Sequence, residues 1–275
     1  MKPFDFRALD DLFFAILDGR AEQDLPKHKA VELGPVMELA FACEAAGLSP
    51  PSRAPWLHLD ALASLVTATT NLEGLWIGDD GRKLGLMRLG RSNDDVATLQ
   101  IARALQVAAG GVGFDKTISG QLAAAMRELI GNVEEHSEST RSGVAAFRAT
   151  HDRMEMVVMD RGVGVLKSLS SARNYAELND HLHALQLTLT EGVSRLDTAG
   201  RGQGFRPLFV GLADQEGVLR FRSGDGLIAI DGTLGPRIQP RTARRSNSRG
   251  LFISVDLRTS AQFRPAQPSR DAKVT

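Results

Sequence analysis

The chain is poor in cysteine. Cys43 is the only one among 275 residues, which excludes an internal disulfide and a thiolate metal cluster. That usage suits a reducing compartment, and Cys43 sits in an Ala-rich stretch where it reads as a small core residue. A net charge is also lacking. Lys plus Arg number 33 and so do Asp plus Glu, so no overall field draws the chain to nucleic acid or to a membrane surface. No apolar run approaches the length of a membrane-spanning helix. The opening M-K-P-F-D-F-R has no basic region followed by an apolar stretch, so no secretory signal is expected. These absences lead to the expectation of a cytoplasmic protein. Hydrophobic content of 43% and charged content of 24% are those of an ordinary globular chain, long enough for one large domain or two small ones.

Residues 1–115 offer no chemistry that can be named. Phe6, Leu9, Leu12, Phe13, Ile16 and Leu17 recur at helical spacing, and Gly19 stops them. Residues 21–29 read as a polar connector, 31–46 as an Ala- and Leu-rich helix ended by Gly47, and 57–70 as a third helix after a Pro-rich break. Two strands about the turn G-D-D-G-R-K are expected in 72–90. A helix is expected over 94–108, with Asp94 and Asp95 at its positive end. Gly110, Gly111 and Gly113 have no phosphate-loop lysine at the right spacing and read as a loop. His28, His58, Trp56 and Trp76 stand alone and read as packing or surface residues.

The sequence becomes informative after residue 116. The stretch Gln121 to Ser137 predicts a helix with an apolar stripe of Leu122, Met126, Leu129, Ile130 and Val133. Glu128, Asn132 and His136 fall four apart along its edge, so they form one polar row beside the core face. Such a row is either an incidental surface feature or a site. A hairpin follows, its second strand ending at Asp160 within D-R-G-V-G. A helix across 181–189 and a second glycine cluster, G-R-G-Q-G-F at Gly200–Phe205, come next. Glycines ahead of a helix let backbone N–H groups approach an anion, and Arg201 and Arg206 add positive charge. Two strands flanking the turn S-G-D-G, a basic loop and a last strand, L-F-I-S-V-D-L, complete the pattern. Each glycine motif alone is equally a turn in which glycine supplies positive φ.

The three motifs stand in one order, E-L-I-G-N-V-E-E-H, D-R-G-V-G and G-R-G-Q-G-F, with suitable elements between them. In that order the chain resembles the GHKL superfamily of ATP-binding proteins, which includes gyrase, histidine kinases and MutL-type ATPases, over roughly residues 117–258. The resemblance implies an α+β fold, a two-layer α/β sandwich with a mixed, mainly antiparallel sheet across 116–259. A helix-rich α/β segment at 1–115 would precede it and a disordered tail at 260–275 would follow. The ligands it implies are ATP and Mg²⁺. Asn132 would hold the metal, Asp160 would accept a hydrogen bond from the adenine amino group, and Gly162 and Gly164 would let the backbone pass beneath base and sugar. Gly200, Arg201, Gly202, Gln203, Gly204 and Phe205 would cradle the phosphates. Glu128 would activate water or assist a phosphoryl acceptor. His136 would add charge near the phosphates or simply favour the helix dipole.

Two departures matter. Where many members carry Gly-Thr before the final strand, this chain has Gly250-Leu251. Leucine cannot reach a water network at the adenine, and strand alternation alone leaves the direction of Ser254 open. No H-E-x-x-x-P-type sequence or dimerisation helix pair is evident, so a complete histidine autokinase is not expected. An ATPase, a kinase of a protein partner, and a nucleotide-gated binding module acting through the N-terminal segment or the lid at 166–198 all stay open; the intact Asn132, Asp160 and glycines argue against a degenerate scaffold that no longer binds nucleotide. Neither nucleic acid nor membrane is expected as a partner.

Overall fold

The computed structural model describes residues 1–43, 46–71, 74–78, 83–90, 94–139, 142–189, 217–231 and 240–259. Its first part contains β1 (Lys2–Phe4), α1 (Phe6–Leu17), β2 (His28–Ala30), α2 (Leu33–Ala42), β3 (Leu57–His58) and α3 (Ala63–Asn71). The chain continues through β4 (Leu75–Ile77), β5 (Leu84–Arg88), α4 (Asp94–Gly111), α5 (Lys116–His136), β6 (Val144–Thr150) and β7 (Arg153–Asp160). It ends with α6 (Gly164–Ser170), α7 (His181–Thr188), β8 (Val218–Asp231) and β9 (Arg241–Arg258). The architecture is mixed α+β. A six-stranded sheet has the order β4-β5-β6-β7-β9-β8, and β1-β2-β3 form a separate three-stranded sheet. Every pairing in the large sheet is antiparallel; parallel pairing is confined to the small one.

The large sheet is covered on both faces, and strand alternation shows why. Ala145, Phe147, Met156, Val158, Ile253 and Val255 face one core, which they share with apolar residues of α4, α5, α6 and α7. The intervening Val144, Ala146, Val157, Met159 and Phe252 face a second core built with α1, α2 and α3. Residues 144–147 of β6, 156–159 of β7 and 251–253 of β9 are therefore apolar without interruption, as two-sided burial demands. β4 and β5, from before residue 116, hydrogen-bond into the same sheet as β6.

Buried charge fastens the N-terminal helices to that second face. Glu38 of α2 has no solvent exposure. It accepts hydrogen bonds from Arg220 Nε at 2.6 Å and Nη2 at 3.0 Å, and from Arg222 Nη1 at 2.6 Å, both on β8. Arg220 also reaches Asp10 of α1 at 2.7 Å, and Arg245 meets Asp10 at 3.0 Å. Burial pushes the Asp10 carboxyl up, but its bonds to Arg220 and Arg245 outweigh this and lower it. A second joint lies at the start of α2, where Glu155 Oε1 of β7 accepts from Leu33 N at 2.7 Å and so satisfies a helix-terminal donor from the sheet face beneath it. Burial raises the Glu155 carboxyl to about 7 despite the nearby Arg153 and Arg148.

Four local expectations are corrected. Leu57 and His58 do not open a helix; they pair with β2, and the helix starts at Ala63. The polar connector 21–29 contains the first residues of β2. S-G-D-G is not a reversing turn: β8 runs unbroken through it with register shifts at Ser223/Gly224 and Gly224/Gly226. Gly224 has φ +60 and lies against the His181 ring, so these glycines form a bulge that receives α7. Much of the expected basic loop is strand as well, because β9 begins at Arg241. The tail after residue 259 and the glycine cluster Gly200, Arg201, Gly202, Gln203, Gly204 and Phe205 lie outside the described residues.

Candidate functional site

The helix that carries the polar row is α5, and it forms for identifiable reasons. Asp115 caps its start by accepting from Ile118 N at 2.8 Å. Leu122, Ala125, Met126, Leu129, Ile130 and Val133 are buried on one face, as their spacing requires. After Ser137, Glu138 takes φ +54 and stops the helix. Glu128 is exposed, while Asn132 and His136 are half-buried. Asn132 Nδ2 donates to the Glu128 carbonyl at 3.0 Å, which leaves the amide oxygen directed elsewhere.

The D-R-G-V-G loop docks on the end of this helix. Val163 N donates to Ser137 O at 2.9 Å. Gly162 lies so close to that carbonyl that a Cβ would overlap it. Gly164 has φ +75, and a Cβ there would come to 2.8 Å from Ser223 Oγ. Both glycines are thus required by the chain's own packing, whatever else passes over them.

Asp160 ends β7 on the α5 side of the sheet, since Val158 faces that core and Met159 the other. It is 2% exposed. Its Oδ1 accepts from Gly162 N at 2.7 Å, its one side-chain hydrogen bond among the described residues. Among the described residues no cation offsets its burial, which raises the carboxyl to about 6 against the partial relief from Gly162 N. A carboxylate held this way destabilises the fold at neutral pH.

A second side of the site comes from β8 and β9. Ser223 Oγ accepts from Val165 N at 2.9 Å and donates to Gly250 O at 2.8 Å, tying α6 to both strands. Gly250, with φ +89, sits against the Asp160 backbone with no room for a Cβ. Leu251 pairs with Asp160 and is buried in the core. Ser254 points to the opposite face, toward Gly34 of α2, and so away from Asp160. Ser223 is the hydroxyl at this site that sequence reading misses. The only signal was a serine at the inner end of V-L-R-F-R, ahead of glycines that resembled a turn.

Asp160, Gly162, Gly164, Ser223, Gly250 and the end of α5 are therefore brought together. Asn132 and Glu128 lie back along α5, about 7 Å and about 14 Å from Ser137 at the helical rise. No family model matches this sequence, and no curated protein matches it either.

Proposed function

We propose that the chain is an ATP-binding protein with a histidine-kinase-like ATPase domain of the GHKL type. In this reading, the sheet β6–β9 with α5, α6 and α7 is a two-layer α/β sandwich, and the N-terminal helices occupy its other face. The observation that carries the proposal is the carboxylate of Asp160 in the D-R-G-V-G loop, buried with one backbone donor and, among the described residues, no cation beside it. A buried acceptor of this kind suits a neutral donor such as the adenine amino group, because a hydrogen bond there repays desolvation that burial has already imposed.

The other members of the constellation take roles consistent with that placement. Ser223 and Gly250 fix the floor beside Asp160. Asn132 presents an amide oxygen one helical turn before the end of α5, a hard donor that suits Mg²⁺, and His136 lies in the last turn of the same helix. Bound Mg²⁺ would neutralise phosphate charge. The glycines and Arg201 of Gly200–Phe205 are assigned to the phosphates on sequence grounds alone. Glu128 is assigned the activation of water or an acceptor, and its presence makes an ATPase or a kinase-like regulator of a protein partner the preferred form. A partner would engage the N-terminal segment or the lid. No helix among the described residues is long and apolar enough to cross a membrane, and we place the protein in the cytoplasm.

A thermal-melt titration tests this reading. ATP with Mg²⁺ at about a hundred times its Kd should stabilise the fold by about 2.7 kcal/mol and raise the melting temperature by several degrees. An unchanged melting temperature at millimolar ATP, with and without Mg²⁺, would remove the proposal.

A further inference from the structure

A cavity of about 500 Å³ lies where α1 meets β1 and β2 of the three-stranded sheet, within the size range of small-ligand sites. Phe4, Leu12, Leu25 and Trp56 line it, and all four are buried, so its floor is apolar. The rings of Phe4 and Trp56 lie 5.6 Å apart. Trp56 Nε1 donates to Glu22 Oε1 at 2.9 Å, which fixes the indole in that floor.

Charge of both signs stands around that floor. Lys2, Arg7 and Arg20 supply cations, and Asp5 and Asp11 supply carboxylates. Asp5 is occupied as the cap of α1, accepting from Ala8 N at 2.8 Å. Arg7 and Asp11 are both exposed and stand four apart on α1, so they project from one helix face with Cβ atoms about 5–6 Å apart. An arginine and an aspartate at that spacing can meet, yet among the described residues neither is bonded to the other or to any third side chain. His28 adds an acceptor. Its Nδ1 donates to the Pro3 carbonyl at 3.2 Å, so Nε2 of the neutral ring carries the lone pair.

We propose that this cavity binds a free amino acid with a large apolar side chain, its carboxylate meeting Arg7, its ammonium meeting Asp11, and its side chain lying on Phe4, Leu12, Leu25 and Trp56. Both charges of such a ligand sit on one carbon. It therefore fits between groups one helical turn apart and gives each a counter-charge. A plain acid would set a carboxylate beside Asp11, and a plain amine would set an ammonium beside Arg7. The site is independent of the nucleotide reading, since none of its residues belongs to α5, the D-R-G-V-G loop, β8 or β9.

Equilibrium dialysis of labelled L-phenylalanine against the full-length protein, without nucleotide, tests this. Saturable binding of one molecule per chain is expected. Hydrocinnamate, which has the same body without the ammonium, and phenethylamine, which has it without the carboxylate, should not displace the label at a tenfold excess over it. Arg7→Met and Asp11→Asn should each weaken binding by about tenfold or more, the worth of one hydrogen bond between charged groups. Both positions are exposed, so the variants should unfold at the same urea concentration as wild type. Absence of saturable binding, displacement by either half-ligand as effective as by unlabelled phenylalanine, or unchanged affinity in the two folded variants would each overturn the proposal.

Discussion

The carbonyl of Ser137 occupies the space that a side chain at Gly162 would need. The end of α5 and the D-R-G-V-G loop are thereby locked together, with Val163 N bonded to the same oxygen at 2.9 Å. This contact brings the helix carrying Asn132 and His136 up to the loop carrying Asp160. It also means that the first glycine of the motif is explained by packing before any ligand is considered.

Gly162→Ala should therefore destabilise the protein by about 1–3 kcal/mol, since backbone rather than a movable side chain must give way. Gly131, in the middle of α5, is the control. A Cβ there meets nothing within 4 Å, so Gly131→Ala should stabilise by about 0.5–1 kcal/mol through helix propensity and the unfolded state. Urea unfolding of both variants checks the pair, and equal effects would remove the packing argument.

Asp160 makes stability depend on pH in a defined direction. Its carboxyl ordinarily titrates near 3.8 and is raised to about 6 in the fold. Below 3.8 both states are protonated. Between 3.8 and 6 the unfolded chain ionises while the folded one does not, so folding stability falls as pH rises, and above 6 the loss is complete. The full difference is about 3 kcal/mol. Asp160→Asn, which keeps an oxygen for Gly162 N, should be more stable than wild type by about 1–3 kcal/mol at pH 8, with the gain vanishing toward pH 4. Denaturation at the two pH values gives the comparison, and a variant less stable at both would mean the charge is compensated.

Glu38 sits between Arg220 and Arg222 at the joint of α2 with β8. Removing one partner of a buried pair leaves the other charge uncompensated, so Glu38→Leu should cost about 3–5 kcal/mol. Combining it with Arg220→Met and Arg222→Met should recover much of that loss. A triple variant as unstable as the single one would show that packing, not charge, dominates the joint.

Glu128 separates hydrolysis from binding. If the protein hydrolyses ATP, Glu128→Ala should lower phosphate release by about 10²–10⁴-fold, the usual worth of a positioned base, with nucleotide affinity retained. Release at the same background rate in both proteins would leave nucleotide binding and remove hydrolysis.

Much of the site was legible because its periodicities are strong. The stripe from Leu122 to Val133 fixes α5, and Asp160 at the end of a buried strand fixes the loop. The misreadings arise where local chemistry resembles something else. Gly224 and Gly226 look like a reversal, but the chain uses them for a bulge against His181, a contact that no local pattern records. Leu57 and His58 form too short a strand to show a period of two. The covering of the second sheet face was hidden for a different reason. It depends on pairs such as Glu38 with Arg220, 182 residues apart, and on Glu155 capping α2 from β7. Ser223 belongs to the same class, since its role appears only when β8 and β9 are side by side.

The most direct measurement is isothermal titration of ATP·Mg²⁺ into wild type and Asp160→Asn at pH 7.5, with the stability of each recorded in the same buffer. Saturable one-site binding by wild type is predicted. The asparagine variant should bind at least about tenfold more weakly, because its amide cannot match a carboxylate as acceptor for the adenine amino group, and yet it should unfold at a higher urea concentration. Equal ATP affinity in the two folded proteins, or none in wild type, would contradict the account.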